Sequence, residues 1–392
     1  MTKFPHFLQF QDELEDLFRD DNRIEGLIPE WIWNKSKESM DSVWLGGNQL
    51  TGFEHNPVVL PWTRLRLLAL WNNMMEGSLT VPPASTLAYF ASGNRMTGEI
   101  SHLICNVKSL IVLELSDNNL VGKIPSCLGN FSNDLMILDL KRNNFKGSIP
   151  EMRDLPLEHF KNCDAMKFKV DKLEYMNTII LPSIGGWILS QDYDITITNK
   201  GTTLSYEKVS SLITFVDLSS NKFTGKIPNS IESFKNLHSL NLSNNILSGS
   251  IPTVIGNLTA LESFDISQNN LTGKIPQQLA GLGFLAIFDV SFNHLTGPIP
   301  QGKQFNLFQN DSYKGNMALC GSPLSCGEQP TPSPPLSSEK NDDSDSFLTV
   351  IIVSIGFGSR LIIGIIYGRK LATRCSEYII IWFLLKLKKK TK

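Results

Sequence analysis

The chain has 392 residues, six cysteines and a formal net charge of −2. This charge balance provides no field that would attract nucleic acid, so a nucleic-acid partner is not expected. The sequence also contains no nucleophile–base pair, phosphate-binding loop or Cys/His cluster with metal-ligand spacing. An enzymatic activity, a cofactor and a metal site are therefore not expected, and the length allows a long repeat array with appendages.

The N-terminus reads MTKFPHFLQF, without the basic region and apolar core of a signal peptide. The first repeat follows with no polar cap in front of it, although a terminal repeat requires capping for solubility. These features favour an N-terminally truncated product or an incomplete gene model.

A repeat of 24 residues is clearest over Ile213 to Pro300, where it is marked by Asn221, Asn245, Asn269 and Asn293. The period and the L-x-x-L-x-L-x-x-N-x-L pattern predict a leucine-rich-repeat solenoid. We expect a right-handed, curved α/β-type superhelix with short parallel strands on its concave face. The marker asparagines are predicted to satisfy backbone groups at a bend. In one copy the residues predicted to point inward are Leu237, Leu240, Leu242, Leu247, Ile251 and Ile255.

Residues 1–150 contain about six looser repeats, marked by Asn22, Asn48, Asn73, Asn94, Asn118 and Asn143. Arg19 and Asp20 disturb the first strand pattern, and one strand residue is missing before Asn94. The first repeats are therefore expected to be degraded copies of the regular pattern.

Residues 151–211 interrupt the repeats and form an island insertion. Its segment YDITITNKGTTLSY alternates polar and apolar residues, which predicts a strand pair around Asn199, Lys200 and Gly201. Insertions into a repeat array tend to be loops on the binding face. This favours a role in recognition, with a tolerated surface insertion as the alternative.

Four regular repeats occupy 212–304, and a C-terminal cap is expected over 305–330. Cys320 and Cys326 are predicted to form a disulfide in the cap, and Cys105 and Cys127 can pair because they occupy equivalent parts of neighbouring repeats. Acceptor sequons predict N-glycosylation at several of six asparagines. These are Asn34, Asn130, Asn241, Asn257, Asn270 and Asn310.

An acidic Pro/Ser linker (331–346) precedes a segment of 22 residues, 347–368, that carries one charge, Arg360. Its length predicts a transmembrane helix, although a central arginine opposes insertion by about 2.5–3.5 kcal/mol. We favour an accident in a degraded chain for Arg360 over pairing with an acid on a partner helix. The basic tail 369–392 predicts a cytoplasmic C-terminus with the repeats outside. Close helix contact in the membrane is permitted by Ser354, Gly358, Gly364 and Gly368.

The L-x-G-x-I-P repeat ending, the insertion before the last four repeats, the sequence GNMALCGSPLSC and the short basic tail occur here in one order. On these features the chain resembles plant leucine-rich-repeat receptor-like proteins, a kinase-less class that includes Cf-type resistance proteins and developmental relatives. The resemblance implies an additional sheet beside the strands and a single-pass plasma-membrane receptor. It also implies an adaptor receptor kinase bound through the membrane helix and a co-receptor kinase at the last repeats.

The chain departs from this class in lacking a signal peptide and in having only about ten repeats. Members often carry a tyrosine that is separated from the Lys-Gly pair of the island by eight residues. Here Gln191 occupies that place and Tyr193 lies two residues later, so this contact does not transfer directly.

Candidate ligand contacts are exposed aromatic and basic residues of the strands and the island, since such residues are good interface anchors. They are Trp44, Arg66, Trp71, Lys141, Arg142, Tyr193, Lys200 and Gly201. A column of acidic residues is interpreted as part of the generic strand pattern rather than a site. It comprises Glu114, Asp139, Asp217, Asp265 and Asp289.

Three functions are compatible with these features of the sequence. The favoured one is a receptor-like protein that binds an extracellular peptide or a microbial or cell-wall-derived ligand and signals through partner kinases in defence or development. The first alternative is a truncated chain without function or with a decoy function. The second is a secreted leucine-rich-repeat inhibitor of a cell-wall-degrading enzyme, which the predicted membrane span and island disfavour.

Overall fold

The structure is a computed structural model that describes residues 3–129, 135–151 and 214–324, together with the backbone of 195–199 and 202–206. The chain divides into a unit Met1–Gly327 and a unit Glu328–Lys392. All described residues belong to the first unit.

Ten strands of the described residues form one parallel sheet, in which each strand pairs with the next coil. Strand labels follow chain order. These strands are β1 (Asp16–Phe18), β3 (Ser42–Trp44), β5 (Leu67–Ala69), β7 (Ala88–Phe90), β9 (Val112–Glu114), β11 (Ile137–Asp139), β15 (Thr214–Asp217), β17 (Leu237–Asn241), β19 (Ser263–Asp265) and β21 (Ile287–Asp289).

A second parallel sheet runs beside the first through the described part of the chain. Its strands are β10 (Val121–Gly122), β12 (Asn144–Gly147), β16 (Lys222–Gly225), β18 (Ile246–Gly249), β20 (Asn270–Gly273), β22 (His294–Pro298) and β23 (Ala318–Cys320). Two further parallel pairs precede it: β2 (Glu25–Ile28) with β4 (Gln49–Phe53), and β6 (Glu76–Ser78) with β8 (Arg95–Thr97).

Many of the returning segments contain a short helix, and five of the described helices directly follow an Ile-Pro bend. The α-helix Glu30–Lys35 closes the second coil, and the others are 3-10 helices. They are His6–Phe10, His102–Asn106, Ser126–Gly129, Asn229–Ser233, Thr253–Asn257, Gln277–Gly281, Lys303–Leu307 and Asn310–Ser312. The prediction of a parallel-stranded solenoid is thus confirmed. The α/β description needs correction, because 3-10 helices and a second sheet form most of the return.

The hydrophobic core runs between the strands and the returning segments. In β17 and the residues after it, Leu237, Leu240, Leu242, Leu247, Ile251 and Ile255 are all 2% exposed or less, as predicted. Each such side chain contributes about 1.5–3 kcal/mol through burial. Because a single coil cannot enclose them, stacking against the neighbouring coils completes the core.

The marker asparagines form a buried ladder that joins successive coils. The Oδ1 atom of each asparagine accepts a hydrogen bond from a backbone N–H of the preceding coil, and its Nδ2 group donates to backbone carbonyls. For Asn269 the donor–acceptor distances are 2.9–3.2 Å. The ladder comprises Asn48, Asn73, Asn94, Asn118, Asn143, Asn221, Asn245, Asn269, Asn293 and Asn316.

Two early repeats differ from their predicted state. Strand β1 forms and pairs with β3 despite Arg19 and Asp20, while Asn22 is exposed and bonds only locally, to the Asp20 carbonyl at 2.7 Å. Asn94 joins the ladder, and its strand β7 is complete. The irregularity of the first repeats is therefore confined to the first bend.

The solenoid continues across the insertion without a break. Strand β11 pairs with β15, so that Asp139 lies opposite Asp217. The Phe145 N–H donates to Asn221 Oδ1 at 3.0 Å across 76 residues of sequence. Within the insertion, β13 (Ile195–Asn199) and β14 (Thr202–Tyr206) pair in antiparallel fashion, which confirms the predicted strand pair.

The predicted linker, membrane helix and basic tail (331–346, 347–368, 369–392) lie outside the described residues, as do Arg360, Ser354, Gly358, Gly364 and Gly368. No helix in the described ranges is long and apolar enough to cross a bilayer.

A disulfide joins Cys105 to Cys127 in adjacent coils, with 5.6 Å between their Cα atoms. The loop it closes spans 22 residues, for which chain entropy predicts a contribution of about 3 kcal/mol. Cys320 is in the cap, whereas Cys326 lies outside the described residues, so that proposed pair stays a prediction.

We expect the double variant Cys105→Ser/Cys127→Ser to unfold at a lower temperature by several degrees, since removing the cross-link enlarges the conformational freedom of the unfolded chain. Thermal denaturation with and without dithiothreitol measures this. Reductant should lower the melting temperature of the wild type towards that of the variant. Equal melting temperatures of the wild type and the double variant in oxidising buffer would contradict the prediction.

Candidate ligand-binding face

One row of side chains crosses the outer face of the ten-stranded sheet, the face away from the core. The pairing register places one residue of each strand in it. In order, this outer row contains Phe18, Trp44, Ala69, Phe90, Glu114, Asp139, Asp217, Asn241, Asp265 and Asp289. The row is apolar over four coils and then mostly acidic. A single face thus offers two chemically distinct halves.

The apolar half forms a hydrophobic cluster of its own, separate from the core. Phe18 stacks on Trp44, with ring centroids 6.1 Å apart and an interplanar angle of 28°. The buried members are Trp44, Leu67, Ala69, Ala88, Phe90, Val112, Ile137 and Phe215. Trp44, a predicted contact residue, is therefore buried rather than exposed, because flanking apolar side chains cover it.

Trp71 lies at the edge of this cluster and is half-buried. Its indole ring covers the neighbouring coil at Gly46, where an added Cβ would lie 2.2 Å from a ring carbon. A side chain at position 46 would collide with this ring, so glycine there permits the tryptophan to pack against the neighbouring coil. Of the two predicted tryptophan contacts, both of which the structure describes, Trp71 is the one that keeps a partly exposed side chain.

The centre of the face holds three carboxylates and one lysine. Lys141 Nζ lies 3.2 Å from Asp139 Oδ2, and Glu114, Asp139 and Asp217 are register partners on adjacent strands. Burial raises the pKa of Glu114 to about 7, and the Asp139 charge adds to this rise. Burial and Asp139 likewise raise the pKa of Asp217 to about 7. Burial alone would lower the pKa of Lys141, but the Asp139 and Asp217 carboxylates outweigh it.

These pKa shifts predict a pH dependence of stability. Glu114 and Asp217 have ordinary pKa values of 4.5 and 3.8. Between about pH 4 and pH 7 the folded state therefore binds more protons than the unfolded state, and the stability from this pair falls as pH rises. We expect a Glu114→Gln/Asp217→Asn variant to gain melting temperature relative to wild type at pH 8 and to gain less at pH 5.

The control for this experiment is Asp311→Asn, which changes an exposed carboxylate in the cap. Its melting temperature should follow that of the wild type across the same pH range. An identical gain of the double variant at both pH values would contradict the assignment.

An exposed rim lies beside the outer row, at the residue before each marker asparagine. Non-glycine residues there adopt positive φ, between 49° and 54° for Asn72, Asp117, Arg142, Ser220, Asn244, Gln268 and Phe292. Arg142 Nη1 contacts Asp117 Oδ1 of the preceding coil at 3.2 Å. Phe292 is 52% exposed although this conformation is unfavourable for a bulky residue. Such positions are functional candidates.

Sequence reasoning selected Arg142 on this rim and missed Phe292 and Gln268. The signal was present, because the residue before each marker asparagine varies in type along the chain while the flanking pattern does not. Arg66 was predicted as a contact, but its Nε and Nη2 donate to the two carboxylate oxygens of Asp41, each at 2.7 Å. Tyr193, Lys200 and Gly201 lie outside the residues whose side chains are described.

The predicted glycan acceptors differ in accessibility. Asn34, Asn257, Asn270 and Asn310 are exposed, and Asn130 lies outside the described residues. Asn241 is buried in the outer row, and its Oδ1 accepts from the Ser243 backbone N–H at 3.0 Å. A glycan is therefore not expected at Asn241, which corrects that prediction.

Family models support the repeat assignment. A model described as a leucine-rich repeat matches residues 235–295, and a second of the same description matches 109–131 and 212–234. Receptor-like protein 7 of Arabidopsis thaliana is 38% identical over 94% of this chain and 48% of its own length. Receptor-like protein 18 of the same plant is 30% identical, with 61% and 33% covered. The chain thus spans about half the length of the first of these relatives.

Solved structures show the same fold. A complex named PEPR1-AtPEP1 has a TM-score of 0.56 and 28% identity, covering 83% of this chain and 37% of that one. The plant peptide hormone receptor RGFR1 in complex with RGF2 has a TM-score of 0.55 and 26% identity, covering 76% and 39%. The chain is therefore a leucine-rich-repeat protein, and its resemblance to plant receptor-like proteins is confirmed over nearly its whole length.

Proposed function

We propose that the chain is the ligand-binding part of a cell-surface receptor without catalysis of its own, and that it binds an extended peptide across the strands of the ten-stranded sheet. The observation that carries this proposal is the rim, which presents one side chain of varying type from each of seven described coils, while Gly47 and Gly93 hold the same position in two others. Neighbouring parallel strands lie about 4.8 Å apart, so an extended peptide crossing these seven coils meets a new side chain at each of them.

The chemistry of the rim and the outer row suits a peptide of mixed character. Trp71 supplies a flat apolar surface, and Gln268 and Asn244 supply exposed amides that can bind a peptide backbone. Arg142 offers an exposed guanidinium for a carboxylate. A solved relative with this fold is described as a peptide hormone receptor, which supports the same class of ligand.

The further parts of the proposal rest on the resemblance to receptor-like proteins. The predicted membrane helix 347–368 anchors the chain in the plasma membrane with the repeats outside and binds an adaptor receptor kinase. A co-receptor kinase binds at the last repeats, where Phe292 is exposed. The island 151–211 contributes to ligand recognition.

The test uses peptides of plant extracellular fluid. The purified full chain is incubated with the fluid, bound peptides are identified by mass spectrometry, and each is synthesised and titrated. A rim variant, Arg142→Glu/Gln268→Glu, should bind the peptide at least tenfold more weakly, since it reverses one charge and adds another along the path. The control Lys108→Glu/Gln277→Glu makes the same change in charge at exposed positions away from the sheet.

Wild-type binding in the control together with weakened binding in the rim variant supports the proposal. If no peptide is enriched, or if both variants bind like the wild type, the sheet face is not a peptide site.

A further inference from the structure

A row of lysines occupies the second sheet, on a different part of the molecule from the proposed peptide face. The lysines lie in or directly after strands β10, β12, β16 and β20, and all five side chains are exposed. We call them the lysine row: Lys123, Lys146, Lys222, Lys226 and Lys274. The row begins after Glu99, whose side chain lies against Gly122 in the next coil.

This surface is one-sided in charge although the chain is not. The segments that form it, 119–125, 144–150, 222–228, 246–252 and 270–276, contain no Asp or Glu, whereas the whole chain has 38 acidic and 36 basic residues. Glu114, Asp139, Asp217 and Asp265 of the same coils lie instead on the outer row of the ten-stranded sheet. The strands of the second sheet in these coils therefore carry positive charge without neighbouring carboxylates of their own.

Two of the lysines are direct neighbours of like charge. Lys146 and Lys222 are register partners in β12 and β16, so their Cα atoms are separated by about the 4.8 Å distance between strands. Like charges directly opposite each other destabilise a sheet. Among the described residues, no ion pair involves any member of the lysine row. An external anion would relieve this repulsion.

The aliphatic stems of three of the five lysines are held by packing. A Cβ added at Gly147 would lie 3.1 Å from Lys123 Cγ, and one at Gly249 would lie 3.0 Å from Lys226 Cγ. The same arrangement recurs at Gly297 with Lys274, at 3.3 Å. Each aliphatic stem thus lies along the glycine of the following coil and leaves its ammonium group in water. Because these lysine side chains are already restricted, they lose less conformational entropy when an anion binds.

The shape of the row indicates a linear anion. The charges lie along the stacking direction, with one lysine-free coil at β18, and are single ammonium groups, which suit carboxylates spaced along a chain. The outward positions between them are Asn, Ser, Thr, Val and Ile, so no aromatic ring is present to stack on a base or to insert into a lipid layer. The surface therefore favours recognition by charge along a polar polymer.

We propose that the lysine row binds a linear polyuronate, an acidic polysaccharide with one carboxylate on each sugar. This inference goes beyond the proposed receptor function and does not depend on it, because the two surfaces share no residue. The peptide-binding experiment can therefore fail while polyuronate binding is observed, and polyuronate binding can fail while a peptide binds.

The experiment measures binding of the full chain to immobilised polygalacturonate, to its fully methyl-esterified form and to vesicles containing phosphatidylserine. The test variant is Lys146→Gln/Lys222→Gln/Lys226→Gln. The matched control, Lys108→Gln/Lys235→Gln/Lys314→Gln, removes the same charge from exposed positions outside the second sheet. Thermal melting of each protein establishes that it is folded.

We expect the wild type and the control variant to bind polygalacturonate and the lysine-row variant to bind about tenfold more weakly, because several exposed charge contacts are lost together. Binding should weaken with added salt and disappear on the methyl-esterified polymer. Equal binding by both triple variants, equal binding to the esterified polymer, or binding to the vesicles alone would overturn the proposal.

Discussion

Replacing Asn269 by alanine is expected to lower the free energy of unfolding by about 3–4 kcal/mol. The amide of Asn269 donates to the carbonyls of Leu242, Ile266 and Ser267 and accepts from the Leu247 N–H. Alanine leaves this buried N–H and the buried carbonyls without those partners, in a place that water does not reach. The loss acts on two coils at once, because the amide joins one coil to the next.

The adjacent residue provides the control for this substitution. Asn270 is exposed in β20 and belongs to no ladder, so Asn270→Ala should change stability by less than about 0.5 kcal/mol. Chemical denaturation of the two variants and the wild type makes the comparison. Similar denaturation midpoints for Asn269→Ala and Asn270→Ala would contradict the assigned role of the ladder.

Replacing Phe288 by alanine is expected to cost about 3–5 kcal/mol. The Phe288 ring is fully buried and lies 4.8 Å from Phe305 and 6.0 Å from Tyr313, centroid to centroid. Phe264 of the preceding coil is also in contact, at 6.1 Å. Removing this ring opens a cavity between the last regular repeat and the cap, so the seal over the end of the core is weakened.

Phe284→Ala is the matched control, since the same change is made in the same coil at a side chain that is 70% exposed. Thermal denaturation should show a loss of many degrees for Phe288→Ala and almost none for Phe284→Ala. If both variants melt together with the wild type, the cap does not depend on this aromatic cluster.

The repeat pattern in the sequence was enough to predict the stacked coils, because the same regularly spaced leucines and asparagines that form the pattern also form the core and the ladder. Leu240 and Leu242 point inward, and Asn245 bonds to the adjacent coils, in the positions expected from their spacing alone. The insertion could also be recognised, since the ladder resumes at Asn221 in the register it left at Asn143. The ladder's last member, Asn316, was missed because the cap around it lacks the leucine pattern.

The candidate site was less accessible to sequence reasoning. The sequence shows that Trp44 and Arg66 lie near strands, but it does not show that Trp44 is covered by apolar neighbours or that Arg66 is bound by Asp41. These outcomes depend on which coils are adjacent across the sheet. The positive φ of Arg142 and Phe292 belongs to a bend that recurs in the described coils, but neither residue type indicates that conformation in the sequence.

The coils stack in one continuous register across the insertion, and the fold of the whole repeat array depends on this stacking. The variant Lys146→Cys/Lys222→Cys tests the stacking, because these register partners in β12 and β16 are 76 residues apart in sequence. After mild oxidation, mass spectrometry should find a peptide that links positions 146 and 222, alongside the native Cys105–Cys127 peptide. If the native link is present and the engineered link is absent, the two halves of the repeat array are not stacked as described.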